Sequence, residues 1–162
     1  VDLGLARRLF PDAPVLIALR DPRDACLSCF MQRFQFNDAM ANFFALESTA
    51  EAYAAVMGLW LQLRDALAPP WREVRYENLV EDFEAEVRGV LDFIGAGWHP
   101  EVAAYREKAA RQVITTPSYR QVTGAVHGRA AGRWRRYRTE LEPILETLAP
   151  FVQAFGYPAD SR

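Results

Sequence analysis

The run Val15-Leu16-Ile17-Ala18-Leu19, which passes directly into Arg20-Asp21-Pro22, constrains this chain more than any other feature. A short, unbroken apolar run bounded by turn residues reads as a strand buried on both faces, the pattern of a parallel sheet. A helix start follows it. Asp21 can accept a backbone N–H as N-cap, and Pro22 suits the first helical position because it has no N–H to lose. The helix is expected to run to about Phe34. In open α/β sheets, ligands bind where strands end and helices begin. Such a helix start offers N–H groups and a positive dipole end to an anion, and Arg20 adds a permanent, bidentate charge. Ser28, eight residues after Arg20, adds a hydroxyl on the same helix. The competing reading, a local salt bridge from Arg20 to Asp21 or Asp24, stays open on these residues alone.

The rest of the chain continues the alternation of strand and helix. Asp2 to Phe10 reads as a short helix stopped by Pro11. Glu47 to Leu67 reads as a long amphipathic helix, with Tyr53, Val56, Met57, Trp60 and Leu63 at helical spacing and Pro69-Pro70 behind it. Arg72 to Tyr76 is a second short strand, and Val80 to Ile94 a helix closed by Gly95. Its acidic start, Glu81-Asp82-Phe83-Glu84 with Glu86, suits the helix dipole without any catalytic role. Pro100 opens a helix to about Ala110. Gln112 to Arg133 is polar and rich in Gly, Thr and Ser, a length of loop that is usually functional or mobile. A last helix is expected over Leu141 to Phe155, bent at Pro150. Two strands are too few for a covered parallel sheet, so the expected architecture is α/β and incomplete.

With 51% hydrophobic and 25% charged residues in 162, the composition is that of a globular domain. A net charge of −2 gives the chain no general attraction for nucleic acid or an anionic membrane. No apolar run is long enough to span a bilayer, and the first residues have no signal-peptide pattern. Two cysteines make no disulfide framework, which points to a reducing, cytoplasmic setting. Cys26-Leu27-Ser28-Cys29 lacks the second pair that a zinc site needs and sits inside a helix, so two ordinary thiols are expected and no metal. Arg129, Arg133, Arg135, Arg136 and Arg138 crowd around Trp134 and Tyr137. That cluster suits a single-stranded nucleic acid, one small polyanion or plain solvent, and the overall charge argues against the first. His127 lies in the same region, and neither it nor His99 has a spaced partner for metal or nucleophilic chemistry.

An apolar strand, Arg20-Asp21-Pro22-Arg23-Asp24 and then Ser28 resembles the 3'-phosphate-binding motif of sulfotransferases that use 3'-phosphoadenosine-5'-phosphosulfate (PAPS). Three later segments extend the resemblance. Arg75-Tyr76-Glu77-Asn78-Leu79 is similar to a segment whose Tyr packs near the adenine. Thr116-Pro117-Ser118-Tyr119 is similar to a stretch that supplies a Ser to the nucleotide in the tyrosylprotein-sulfotransferase-like branch. Gly128-Arg129-Ala130-Ala131-Gly132-Arg133-Trp134 resembles a basic loop that covers the 3'-phosphate. The resemblance therefore implies a P-loop-like parallel sheet flanked by helices, with PAPS as sulfate donor. It also implies Arg20, Ser28, Tyr76, Ser118, Arg133 and Arg129 as nucleotide-binding residues. The acceptor would be a hydroxyl or amine on a small molecule or a protein.

One part of the family pattern has no counterpart. The Gly- and Ser-rich loop that cradles the 5'-phosphosulfate should follow an early strand, and Gly124-Ala125-Val126-His127-Gly128 comes too late and follows no buried strand. The family's catalytic base also lies upstream of the 3'-phosphate motif, so no catalytic residue is assigned. The chain lacks an initiating Met and is expected to be the C-terminal portion, over residues 1–162, of one sulfotransferase domain. Such a portion would be inactive alone and would present an unpaired strand edge open to self-association. The alternative is a non-catalytic nucleotide-binding or interaction module of the same fold.

Overall fold

The computed structural model describes residues 2–32, 34, 37–66, 70–104 and 131–159. The chain divides into two compact units. One is built from Val1–Ala13, Arg20–Pro69 and Ala130–Arg162, the other from Pro14–Leu19 and Pro70–Arg129.

The first unit is helical. It holds α1 (Leu3–Leu9), α2 (Pro22–Phe30), a 3-10 turn at Met40–Phe43, α3 (Leu46–Ala66), a second 3-10 turn at Arg133–Tyr137 and α7 (Arg138–Ala154). Helices α2, α3 and α7 pack on one another. Their shared core is Cys26, Leu27, Ala50, Leu141, Ile144 and Leu148, with Trp134 of the 3-10 turn enclosed among them. The Tyr53 ring meets Phe151 edge-on at 5.6 Å, tying α3 to α7. The apolar stripe of α3 is only partly core: Trp60 is buried, while Val56 is exposed. Helix α7 begins at Arg138, three residues before the expected Leu141, and contains both Pro143 and Pro150.

The start of α2 follows the sequence closely. Asp21 is its N-cap, its side chain accepting from the Arg23 N–H at 3.0 Å, and Pro22 takes the first position. The helix ends at Phe30, a turn earlier than expected. Neither Gly nor Pro marks that end, so the sequence carries no local stop signal there.

The second unit holds β1 (Val15–Leu19), β2 (Trp71–Arg75), α4 (Tyr76–Glu81), α5 (Phe83–Phe93) and α6 (Pro100–Ala103). The two strands pair in parallel, with Val15 opposite Trp71 and Leu19 opposite Arg75. Helices α4 and α5 pack against β2. The helix expected over Val80 to Ile94 is two, broken at Asp82, whose side chain accepts from the Ala85 N–H at 3.0 Å. An N-cap inside a continuous acidic stretch is hard to tell from helix surface, because Asp serves both. Gly95 closes α5 at φ +73°, a left-handed conformation that costs glycine least. On β2, Arg72 donates to the Gly89 carbonyl at 2.7 Å and holds α5 against the strand.

The parallel sheet of the α/β expectation is present with two strands. Burial on both faces of β1 is not: Leu16 is 42% exposed and Ala18 is exposed too, whereas Leu19 is buried. A strand in a two-stranded sheet needs layers on both faces to bury alternate residues, and among the described residues no such second layer covers Leu16.

Candidate functional site

Three of the six nucleotide-binding candidates lie along α2 in the helical unit. Arg20 precedes the N-cap; burial raises the pKa of both Asp24 and Cys29, and the Arg20 charge opposes the rise at each. Ser28 is half-buried and one turn beyond Asp24, on the same helical face. Arg133 reaches the far end of the helix, its Nη2 lying 3.1 Å from the Met31 sulfur. Tyr76 opens α4 in the other unit, one residue past the end of β2 rather than within it. Ser118 and Arg129, like His127 and most of the polar stretch from Gln112 to Arg133, lie outside the described residues.

The acidic residues beside Arg20 each have well-defined partners in the fold. The Asp21 carboxylate takes the Arg23 guanidinium through two bonds, Nε to Oδ1 at 2.9 Å and Nη2 to Oδ2 at 2.7 Å. Arg23 is only 3% exposed, so this is a buried, bidentate pair with strong directional bonds. Its guanidinium also donates to the Pro158 carbonyl at 3.0 Å and lies 3.8 Å from the Trp134 ring centroid. Arg23 therefore braces Trp134 and the end of the chain. Asp21 thus holds Arg23, while the Arg20 charge acts on Asp24.

Asp21 also changes how the helix start can serve an anion. Its carboxylate caps the N–H group that an incoming phosphate would have used. Anion attraction in this turn then rests on Arg20 and the Ser28 hydroxyl more than on the helix dipole.

Asp24, read from the sequence only as an alternative salt-bridge partner of Arg20, also binds distant backbone. It is 1% exposed. Its Oδ2 accepts the Gly132 N–H at 2.6 Å and its Oδ1 the Trp134 N–H at 2.7 Å. Burial pushes its carboxyl above the ordinary carboxylate range, and Asp21 adds to the rise. The Trp134 amide, the Arg20 charge and the Gly132 amide oppose it. An acid in the first turn of a helix is accounted for by the dipole, so the sequence carried no sign of partners more than a hundred residues away. Arg23 was missed for the same reason.

The basic cluster separates into two kinds of residue. Trp134 is core, with Arg23 at 3.8 Å and Arg135 at 5.2 Å from its ring. Its Nε1 is buried with no hydrogen-bond partner among the described residues. Arg133 is half-buried, 5.6 Å from the Tyr137 ring, while Arg135, Arg136 and Arg138 are exposed. Both thiols of Cys-x-x-Cys are free. Burial pushes Cys26 up to about 12, with Cys29 adding to it, and burial raises Cys29 as well. These are poor nucleophiles, which agrees with the reading as ordinary helix thiols. They line an apolar cavity of about 200 Å³ with Phe43, Tyr53 and Met57. A larger cleft of about 570 Å³ runs along α7 past Arg23, Val152 and Tyr157, away from the three candidates on α2. Among the described residues no three His, Cys, Asp or Glu side chains gather as a metal site, and no helix is long and apolar enough to cross a membrane.

A profile of the Sulfotransferase family matches residues 1–100, well over half of the chain. The chain belongs to the sulfotransferase family. The matched span includes Arg20, Ser28 and Tyr76, while Ser118, Arg129 and Arg133 follow it. An uncharacterized protein of Aquifex aeolicus (strain VF5) is 27% identical over 150 residues, which is 90% of this chain and 19% of that protein. The chain thus spans about a fifth of that relative's length.

Proposed function

We propose that this chain supplies the nucleotide 3'-phosphate and adenine side of a PAPS-dependent sulfotransferase site. PAPS would bring the activated sulfuryl group, which passes to a hydroxyl or amine on a small molecule or a protein. Arg20 pairs with the 3'-phosphate as a fixed charge, and Ser28 donates its hydroxyl. Arg133 closes on the same phosphate from the far end of α2, and Tyr76 lies against the adenine. Ser118 and Arg129 complete the contacts.

The observation that carries this reading is the gathering of Arg20, Ser28 and Arg133 along one helix. Arg133 is 113 positions from Arg20 in the chain and still ends beside Met31, three residues past Ser28. Both carboxylates in the turn have partners within the fold, Asp21 in Arg23 and Asp24 in two backbone amides. Two cations and a hydroxyl strung along one short helix suit a single small anionic ligand better than an extended polyanion, given the chain's net charge of −2.

Calorimetry with adenosine 3',5'-bisphosphate, and adenosine 5'-phosphate as control, tests it. The bisphosphate should bind at least tenfold more tightly, by about 1.4 kcal/mol. Arg20→Ala should remove most of that advantage and Ser28→Ala less, because a charge-assisted bond is roughly twice as strong as a neutral one. Equal affinity for the two nucleotides would sink the assignment.

A further inference from the structure

We infer that Asp24 is a positioning residue whose carboxylate, by taking both backbone N–H groups that flank Arg133, fixes that arginine alongside α2 as a phosphate ligand. This rests on the nucleotide reading above and adds a residue to it.

The geometry is specific. Oδ2 takes the Gly132 N–H at 2.6 Å and Oδ1 the Trp134 N–H at 2.7 Å, so the residue between them is held by its backbone on both sides. The Arg133 side chain is left free to reach outward, and it does so toward Met31 at the end of α2. Gly132 sits at φ +68°, a left-handed turn in which a Cβ would meet the Arg135 guanidinium. Two converging amides one residue apart need such a turn, and a side chain at 132 would disturb it. On the other side Trp134 is 1% exposed and braced by Arg23, itself locked to Asp21. The clamp is therefore anchored on both sides by groups of the same motif. Asp21 and Arg23 hold the tryptophan, and Asp24 holds the chain.

A carboxylate is the side chain this task requires. Two amide donors converge on it, and an ionised carboxyl accepts on both oxygens. An asparagine would accept from one amide and turn its own NH₂ against the other. The charge of Arg20 acts on the same carboxylate, so the group that orders Arg133 is electrostatically tied to the first phosphate ligand.

Two measurements on the wild-type protein, Asp24→Asn, Arg133→Gln and the double variant test this. The first follows the amide signals of Gly132 and Trp134 by NMR and hydrogen exchange, without ligand. Both should be protected in the wild type and should lose protection together in Asp24→Asn. The second is the preference for adenosine 3',5'-bisphosphate over adenosine 5'-phosphate by calorimetry. Asp24→Asn should reduce that preference about as much as Arg133→Gln, by roughly tenfold, and the double variant should fall no further. A preference left intact in Asp24→Asn, once the two amides are released, overturns the positioning role while sparing the nucleotide reading. Additive losses in the double variant also overturn it, since Asp24 would then act independently of Arg133. No preference in the wild type overturns the nucleotide reading and this role with it, whatever the amides do. Should Asp24→Asn not fold, Asp24→Ser leaves room for water at both amides and is scored the same way.

Discussion

Asp24 is held by two amides and opposed by its own burial, and the balance sets a pH dependence. Desolvation raises its pKa above the ordinary 3.8, Asp21 adds to the rise, and the amides of Trp134 and Gly132 with the Arg20 charge pull it back. The folded state therefore binds this proton more tightly than the unfolded state. Between 3.8 and the raised value the folded protein carries the extra proton, so the stability contributed by this group falls as pH rises through that window. The amide introduced by Asp24→Asn cannot titrate. The stability difference between Asp24→Asn and the wild type should accordingly shift in favour of the variant as pH increases across the window, and level off above it. Urea midpoints taken from acid to neutral pH measure this directly. A shift the other way would mean that the amides outweigh burial and hold the carboxyl low. On our reading, this carboxylate, placed where two amides meet, serves the geometry around Arg133 as well as the fold.

At the scale of elements, β1 carries a surface that a strand of its composition seldom shows. Leu16 is 42% exposed and Ala18 is exposed, although five apolar residues in a row read as burial on both faces. We expect Leu16→Thr to cost little stability, about 0.5 kcal/mol or less as for most surface changes. It should also reduce any self-association through the strand, because a β-branched polar residue keeps the pleat and removes the apolar contact. Sedimentation velocity over a range of concentrations checks this, and a variant that loses several kcal/mol would show that Leu16 is covered after all. The strand itself, its parallel partner and the capped start of α2 were legible because each has a local cause: an apolar run, Asp21 and Pro22. The break at Asp82 and the early end of α2 were less so, since acidic residues suit both a cap and a helix surface, and no Gly or Pro stands after Phe30. Within the site, Arg20, Ser28 and Arg133 could be singled out by motif and charge. The roles of Arg23 and Asp24 could not, because their partners Trp134, Gly132 and Pro158 are brought to them only by packing of α7 against α2.

For the molecule as a whole, the remaining question is whether 162 residues suffice for chemistry. Sulfuryl transfer needs donors on the oxygens of the phosphosulfate and a base within about 2.6–3.2 Å of the acceptor proton. The sequence contains no Gly- and Ser-rich turn after an apolar strand to supply the first. The cations of α2 are committed: Arg23 to Asp21 and Trp134, and Arg20 and Arg133, on our reading, to the 3'-phosphate. The thiols of Cys26 and Cys29 are raised by burial, which removes them as a base at neutral pH. In the Aquifex relative the matched region is 19% of the length. We therefore expect the 162-residue chain to bind adenosine 3',5'-bisphosphate and to transfer no sulfate, while a chain extended upstream by a strand and phosphate-cradling loop transfers it. Labelled sulfate from PAPS, offered with phenolic, tyrosyl-peptide and sugar acceptors to both proteins, measures the difference. Turnover by the short chain would place the base within it and direct attention to His127. Binding without turnover in either protein, across a broad acceptor panel, would favour a nucleotide-binding module that has kept the 3'-phosphate turn and lost the reaction.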